Sequence, residues 1–187
     1  MKVLLHACCG PCASACVPAL RALGHEVGIF YSNSNIAPDA EFEKRLASLR
    51  VLAAAEKAEL FVDPPDHADW LAKVAHGLES EPEKGARCAK CFRYNLARAS
   101  AFAAAHGYDA FTTSLTVSPH KVSAMVFAAG AETGGDRFLP VDFKKHDGFK
   151  HSLERSAALG LYRQSYCGCE FSRVAALKPV DGNARRG

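Results

Sequence analysis

Eight cysteines fall in three groups along the 187 residues: Cys8, Cys9, Cys12 and Cys16 near the start, Cys88 and Cys91 in the middle, Cys167 and Cys169 near the end. Thiolates are ligands for zinc, iron and iron–sulfur clusters, and the C-x-x-C spacing of Cys88 and Cys91 brings two sulfurs to one centre without strain. Four cysteines would close a structural zinc site, and the seven in turn-like positions exceed that need. Cys16 stands apart: it follows Cys12 by four residues inside an apolar helical stretch, which reads as a buried, inert thiol. A thioredoxin-like dithiol is a poorer match, because CCGPC opens with paired cysteines and sits at the first strand of a different order of elements. In Cys167-Gly-Cys169 the glycine frees the backbone to point both thiols inward, to bind a metal or to cycle between dithiol and a readily reduced disulfide.

The compartment decides between these chemistries. A single Lys2 precedes a short apolar stretch, the cysteines after it do not resemble a signal cleavage site, and no run approaches the roughly 18 to 20 apolar residues of a membrane span. A cytoplasmic location is expected, where thiols stay reduced and serve metal or redox chemistry before structural disulfides. The formal charge of +3 is too small to establish a nucleic-acid partner, although Lys and Arg gather in FKKHDGFKH and LYRQ.

These groups must be positioned by the elements between them. KVLLHA reads as a strand, ASACVPALRAL as a helix ended by Gly24, EVGIFYS as a second strand and AEFEKRLASLRVLAAAEKA as a second helix. AELFVD (58–63) is a third strand and HADWLAKVAHGL a short helix. After the polar loop ESEPEKGAR, the helix CAKCFRYNLARASAFAAAH carries C-x-x-C on its first turn. YDAFTTSL, VSPHKVSAMVFAAGAE and DRFLPVDF complete the pattern as strand, helix and fifth strand, followed by a short helix (151–160). The expectation is one α/β domain over 1–187, doubly wound on a mostly parallel five-stranded sheet, with a cysteine-bearing C-terminal extension and a flexible tail from 174 to 187.

Open sheets of this kind bind ligands beyond the carboxyl ends of their strands, where strand order reverses. With the order 3-2-1-4-5, CCGPC and TSLTVSPHK are neighbours there, and the Cys88 helix joins them if the loop before it folds back over the top. Tyr31, Asn33 and Asn35 end strand two, where they are substrate contacts or a polar turn closed by Pro38. Ser114 and Ser118 follow strand four, the latter equally an ordinary helix start. Tyr162, Arg163, Gln164 and Tyr166 combine stacking surfaces, a cation and an amide suited to an unstacked nucleotide, or to a packed loop. His6 reads as a satisfied core histidine.

Together LLHACCGPC, YSNSNIAP with Glu41 and Arg45 after it, RCAKCF, FTTSLTVSPHK and GLYRQSYCGCEFS resemble, in order and from residue 2 to about 173, epoxyqueuosine reductase of the QueH type. The resemblance implies a fold related to the HUP-like, nucleotide-alpha-hydrolase-like enzymes that thiolate tRNA. It implies cobalamin-independent, two-electron reduction of epoxyqueuosine to queuosine in the anticodon loop of tRNA, with an electron donor it does not identify. It ascribes a 4Fe-4S cluster to Cys8, Cys9, Cys88 and Cys91. Cys167 and Cys169 are implied as a catalytic redox pair or, with Cys12, as ligands of a second, mononuclear iron. Two rivals stay open: a tRNA-thiolating enzyme, which the lack of a Gly/Ser phosphate loop disfavours, and a zinc-stapled RNA-binding module.

Overall fold

The computed structural model describes the backbone from Met1 to Leu177 and the side chains to Arg173. Four parallel strands, β1 (Lys2–His6), β2 (Glu26–Tyr31), β3 (Leu60–Val62) and β4 (Ala110–Thr113), form one sheet in the order β3-β2-β1-β4. Leu4 of β1 lies opposite Gly28 of β2 and Phe111 of β4. Val3 and Leu5 face one layer and Leu4 the other, so both faces of β1 are buried, as an almost continuous apolar run requires. Helices α1 (Gly10–Ala22) and α2 (Asp39–Glu56) cover the first face. Helices α4 (Ala86–Ala105) and α5 (Ser123–Gly134) cover the second. Each fully buried Leu or Val in these layers is worth roughly 1.5–3 kcal/mol.

The expected fifth strand is not one. Residues 136–143 lie beside β4 as the order 3-2-1-4-5 requires, but pair with it through a single bridge, Phe111 with Phe138. The Leu139 N–H donates to the Phe111 carbonyl at 2.8 Å, and Pro140 then has no N–H to continue the ladder. Side chains take over: Thr112 Oγ1 donates to the Leu139 carbonyl at 2.8 Å and Thr116 Oγ1 to the Val141 carbonyl at 2.9 Å.

Other boundaries differ in ways that matter for the cysteines. The first helix begins at Gly10, so Cys12 stands on its first turn. Cys9 is its N-cap, the sulfur accepting from the Cys12 N–H at 3.5 Å, and Pro11 removes a donor that would lack a partner there. Gly10 is needed for packing: a Cβ there would stand 2.8 Å from Ser48 Oγ and 2.9 Å from the Ser48 carbonyl, where α1 crosses α2. The expected helix 67–78 is a single turn, α3 (His67–Trp70), capped by Asp66 and continued by a π-helical turn, Leu71–Ala75. The expected helix 117–132 starts later, at Ser123, after a 3₁₀ turn (Ser114–Val117). At the C-terminus α6 (Gly148–Ala158) packs on α1, and α7 (Glu170–Leu177) occupies the first residues of the expected tail; residues 178–187 lie outside those described. Among the described residues no helix is long and apolar enough to cross a membrane.

Candidate functional site

A helix that connects parallel strands runs antiparallel to them, so its N-terminus stands at their carboxyl edge. That rule brings the starts of α1 and α4 to the same end of the sheet, and the crossover of residues 63–85 carries α4 across to pack on β1, β4 and α5. Cys8 and Cys88 accordingly pack against the same apolar layer.

The sulfurs of Cys8, Cys9 and Cys12 all lie within 4.8 Å of one another, the group among the described residues able to hold a metal ion. Cys8 and Cys9 sulfurs are 3.8 Å apart. Three thiols so close, Cys9 and Cys12 buried and Cys8 half-buried, cannot titrate independently. Contact with Cys12 and Cys8 holds the Cys9 thiol well below its ordinary value. For Cys8, contact with Cys12 pulls down, but contact with Cys9 and burial prevail and push it up to about 11. Contacts with Cys8 and Cys9 push Cys12 up. One thiolate shared among three sulfurs is the donor chemistry of a soft metal site. Cys16, fully buried, bonds to the Cys12 carbonyl at 3.3 Å and takes no part.

Cys88 and Cys91 face a different set of neighbours. Burial raises both thiols, and for each the nearest charged influences include Cys167 and Lys121. Lys121 Nζ stands 2.6 Å from Cys167 Sγ. Burial alone would lower this ammonium, but the Cys167 sulfur beside it more than offsets that, and its value rises. A small cleft between Lys84, Cys88, Phe92, His120, Lys121 and Met125 opens next to these sulfurs. Cys169 is buried in a cluster with Trp70 and Val74, against which Cys91 also packs. All eight cysteines are free thiols.

The C-x-C loop is held from α2. Arg45, buried to 1%, pairs with Glu41 at 2.7 Å and donates to the carbonyls of Cys167 at 2.9 Å and Tyr166 at 3.2 Å. Tyr162 donates to the other Glu41 oxygen at 2.9 Å. Gly168 adopts φ +140°, and a Cβ there would press at 3.1–3.2 Å on Ile36, Arg45 and Asn35.

The proposed nucleotide-contacting residues divide by placement. Tyr31 is fully buried with its hydroxyl donating to the Phe42 carbonyl. Asn33 ties the ends of β1 and β2 through the Ala7 carbonyl, and Asn35 accepts from Asn95 at 2.8 Å. Ser118 closes a turn with the His120 N–H. Arg163 is folded back on α6, donating to the Ser152 carbonyl and Ser156 Oγ. Tyr166 donates to the Ala37 carbonyl. Two others touch sulfur directly: Ser114 Oγ is 3.5 Å from Cys8 Sγ, and Gln164 Nε2 donates to Cys9 Sγ at 3.1 Å. Tyr162 keeps 39% of its surface exposed, with the Lys44 ammonium over its ring. His6 is satisfied by Thr113 and the Ser32 carbonyl, as a core histidine.

The family model for "Epoxyqueuosine reductase QueH" matches residues 3–175. The chain belongs to the QueH family. Its similarity to curated QueH proteins extends over most of both chains. The protein named epoxyqueuosine reductase QueH from Streptococcus pyogenes serotype M1 is 32% identical over 188 residues, spanning 96% of this chain and 72% of its own. The Dehalococcoides mccartyi protein of that name is 34% identical over 175 residues (91% and 92%), and the Thermotoga maritima one 31% over 178 residues (91% and 89%).

Three residues at this QueH site escaped the reading of the sequence. Lys121 directly follows His120, but nothing local told that its ammonium would reach Cys167, 46 positions away. Trp70 packs beside Cys91 and Cys169 through tertiary contact alone. Asn95 was within reach, because it follows Cys91 by four residues on one helix and therefore shares its face; its Nδ2 lies 3.7 Å from Cys91 Sγ.

Proposed function

We propose that this protein converts the epoxide of epoxyqueuosine in tRNA to the alkene of queuosine, without cobalamin. Two electrons and two protons enter, both C–O bonds of the epoxide break, a C=C bond forms, and the oxygen leaves as water. The observation that carries this reading is an all-thiol group, two of its cysteines buried and Cys8 half-buried, at the carboxyl edge of the sheet, in a chain that matches the QueH family almost throughout. A tRNA-thiolating enzyme would need phosphate-binding backbone at that edge, which here is capped by Cys9 and interrupted by Pro11.

The donor set fits an iron–sulfur centre: soft sulfurs, mostly buried, with no carboxylate among them. Cys8, Cys9, Cys88 and Cys91 are the proposed 4Fe-4S ligands. Cys167 and Cys169 act as a redox dithiol or, with Cys12, hold a second iron. Such centres, when bound, supply electrons singly and a Lewis acid for the departing oxygen. The chain's own residues supply the rest. Arg45 and Gly168 fix the backbone that presents Cys167, Lys121 places a cation against its sulfur, and Ser114 and Gln164 hold the sulfurs of Cys8 and Cys9.

The tRNA would meet the exposed ring of Tyr162 and the exposed Lys145 and Lys150 at the start of α6, so binding weakens as salt rises. The single α/β domain works in the cytoplasm with an electron donor of unspecified class. Anaerobic purification followed by single-turnover assay tests the whole reading. Iron, acid-labile sulfide and loss of the epoxide on reduction are expected; a colourless zinc protein that binds RNA but leaves the epoxide intact would replace the reading with an RNA-binding module.

A further inference from the structure

The polar loop between the π-helical turn and α4 carries three glutamates, and the fold itself uses two of them. Glu81 Oε2 accepts from the Ala86 N–H at 3.0 Å, at the start of α4. The Glu79 carboxylate is held below its ordinary value by the backbone N–H groups of Glu79 and Gly77, and its carbonyl accepts from buried Arg87. Glu83 differs from both. It is exposed, it lines the cleft beside Cys88, and among the described residues it takes part in no ion pair.

That cleft has a charged rim and an apolar wall. Lys84 stands exposed beside Glu83, Phe92 and Met125 supply apolar surface, and Cys88 and Lys121 lie half-buried. Lys121 is already answered by Cys167 Sγ at 2.6 Å. The backbone fixes the acid in place: the Lys84 N–H donates to Cys88 Sγ at 3.3 Å and the Gly85 N–H to the Pro82 carbonyl at 3.2 Å. Lys84 adopts φ +69°, a left-handed conformation that costs energy in a residue with a side chain and persists where its surroundings demand it. The cleft is small, so a ligand group lies across its mouth, where Glu83 is exposed. A mouth built for phosphate alone would gain nothing from a carboxylate, whereas a cationic group needs one to offset Lys84 and Lys121.

We infer that Glu83 is a specificity residue: its carboxylate receives the secondary ammonium that joins the epoxide-bearing ring of the substrate to its deazaguanine base. This deepens the proposed function and rests on it. The amine is protonated at neutral pH and guanosine has no counterpart, so the pairing separates the modified nucleoside from the unmodified one. It also lays the ring against Phe92 and Met125, beside Cys88 and the Lys121–Cys167 pair. Lys84 is left to meet phosphate at the same rim.

The test uses holoenzyme purified without oxygen and, with no reductant present, three anticodon stem-loops that differ in one nucleoside. These are epoxyqueuosine, 7-aminomethyl-7-deazaguanosine, which keeps a cationic amine without the ring, and guanosine. Wild-type protein binds both amines more tightly than guanosine. Glu83→Gln lowers both preferences by about tenfold, the size of one charge-assisted hydrogen bond at an open site. Glu79→Gln makes the same charge change on the same loop, keeps an oxygen for the backbone N–H groups, and leaves both preferences as they were. Unchanged preferences in Glu83→Gln, an equal loss in Glu79→Gln, or a loss confined to epoxyqueuosine overturns the inference while the function stands. Wild-type protein that fails to prefer the aminomethyl nucleoside to guanosine does the same. Reduced wild-type holoenzyme that leaves the epoxide intact instead overturns the proposed function, and the inference with it.

Discussion

The Lys121 ammonium stands 2.6 Å from the Cys167 sulfur, in a layer where Cys88 and Cys91 are the next charged influences on it. A buried cation is tolerated when an anion answers it, and removal of such a partner beside a metal or redox thiol usually costs roughly tenfold to a hundredfold in metal affinity or activity. Lys121→Met is expected to lose turnover on that scale and to lower the thermal midpoint, because the Cys167 sulfur more than offsets the burial cost of the ammonium and that net favourable contact is lost. Steady-state kinetics and calorimetry on one preparation check this; full turnover would show the pair to be incidental.

Arg45 has a different task. Its guanidinium joins Glu41 to the carbonyls of Tyr166 and Cys167 from a fully buried position, so Arg45→Leu strands a carboxylate and should destabilise the fold by about 3–5 kcal/mol. Arg45→Lys recovers little, since a single ammonium does not span three acceptors. Urea unfolding of the three proteins measures the difference, and equal midpoints for lysine and arginine would rule out the fork.

At Gly168 the φ of +140° and the close approach of Ile36, Arg45 and Asn35 exclude a side chain. Gly168→Ala should destabilise the protein by about 1–3 kcal/mol and expose the neighbouring thiols. Thermal unfolding together with the alkylation rates of Cys167 and Cys169 reads both effects; unchanged alkylation would separate the loop's strain from its cysteines.

The cysteines themselves are separable by serine substitution. Cys16→Ser keeps its bond to the Cys12 carbonyl and is expected to retain all metal. On the proposed ligand set, Cys9→Ser and Cys91→Ser lose the cluster's colour, whereas Cys12→Ser keeps it. Iron and sulfide analysis of each variant decides, and a colourless Cys12→Ser protein would move Cys12 into the cluster's ligand set, where its closeness to Cys8 and Cys9 also permits it.

His6 makes the fold sensitive to acid. Burial lowers its value, against a smaller upward pull from the Ser32 carbonyl, so the folded protein keeps the ring neutral. The unfolded chain takes up a proton near pH 6.5 that the native state refuses, so stability is complete above that pH and falls below it, by up to about 1.4 kcal/mol per unit. Denaturant unfolding between pH 7.5 and 5.5 should show this slope, and His6→Gln should flatten it; an identical slope in the variant would place the acid sensitivity elsewhere.

Sequence alone determined the parts that depend on local periodicity and spacing. The alternation of strands and helices, the placement of Cys88 and Cys91 near the start of one helix, and the separation of Cys16 from the other thiols follow from 2.0- and 3.6-residue repeats that every neighbouring residue reinforces, although the helix begins two residues before Cys88 and so carries Cys91 on its second turn, not its first. The strand order was legible too, but not the loss of the fifth strand. DRFLPVDF has strand composition throughout, and only its place at the sheet edge beside β4 makes the missing N–H of Pro140 decisive. Which sulfur meets which partner belongs entirely to the tertiary structure. Arg45 reaches Cys167 across 122 positions, Gln164 reaches Cys9 across 155, and Lys121 reaches Cys167 across 46. Such contacts leave no periodic trace, because they arise where separately packed layers place their loops at one edge of the sheet.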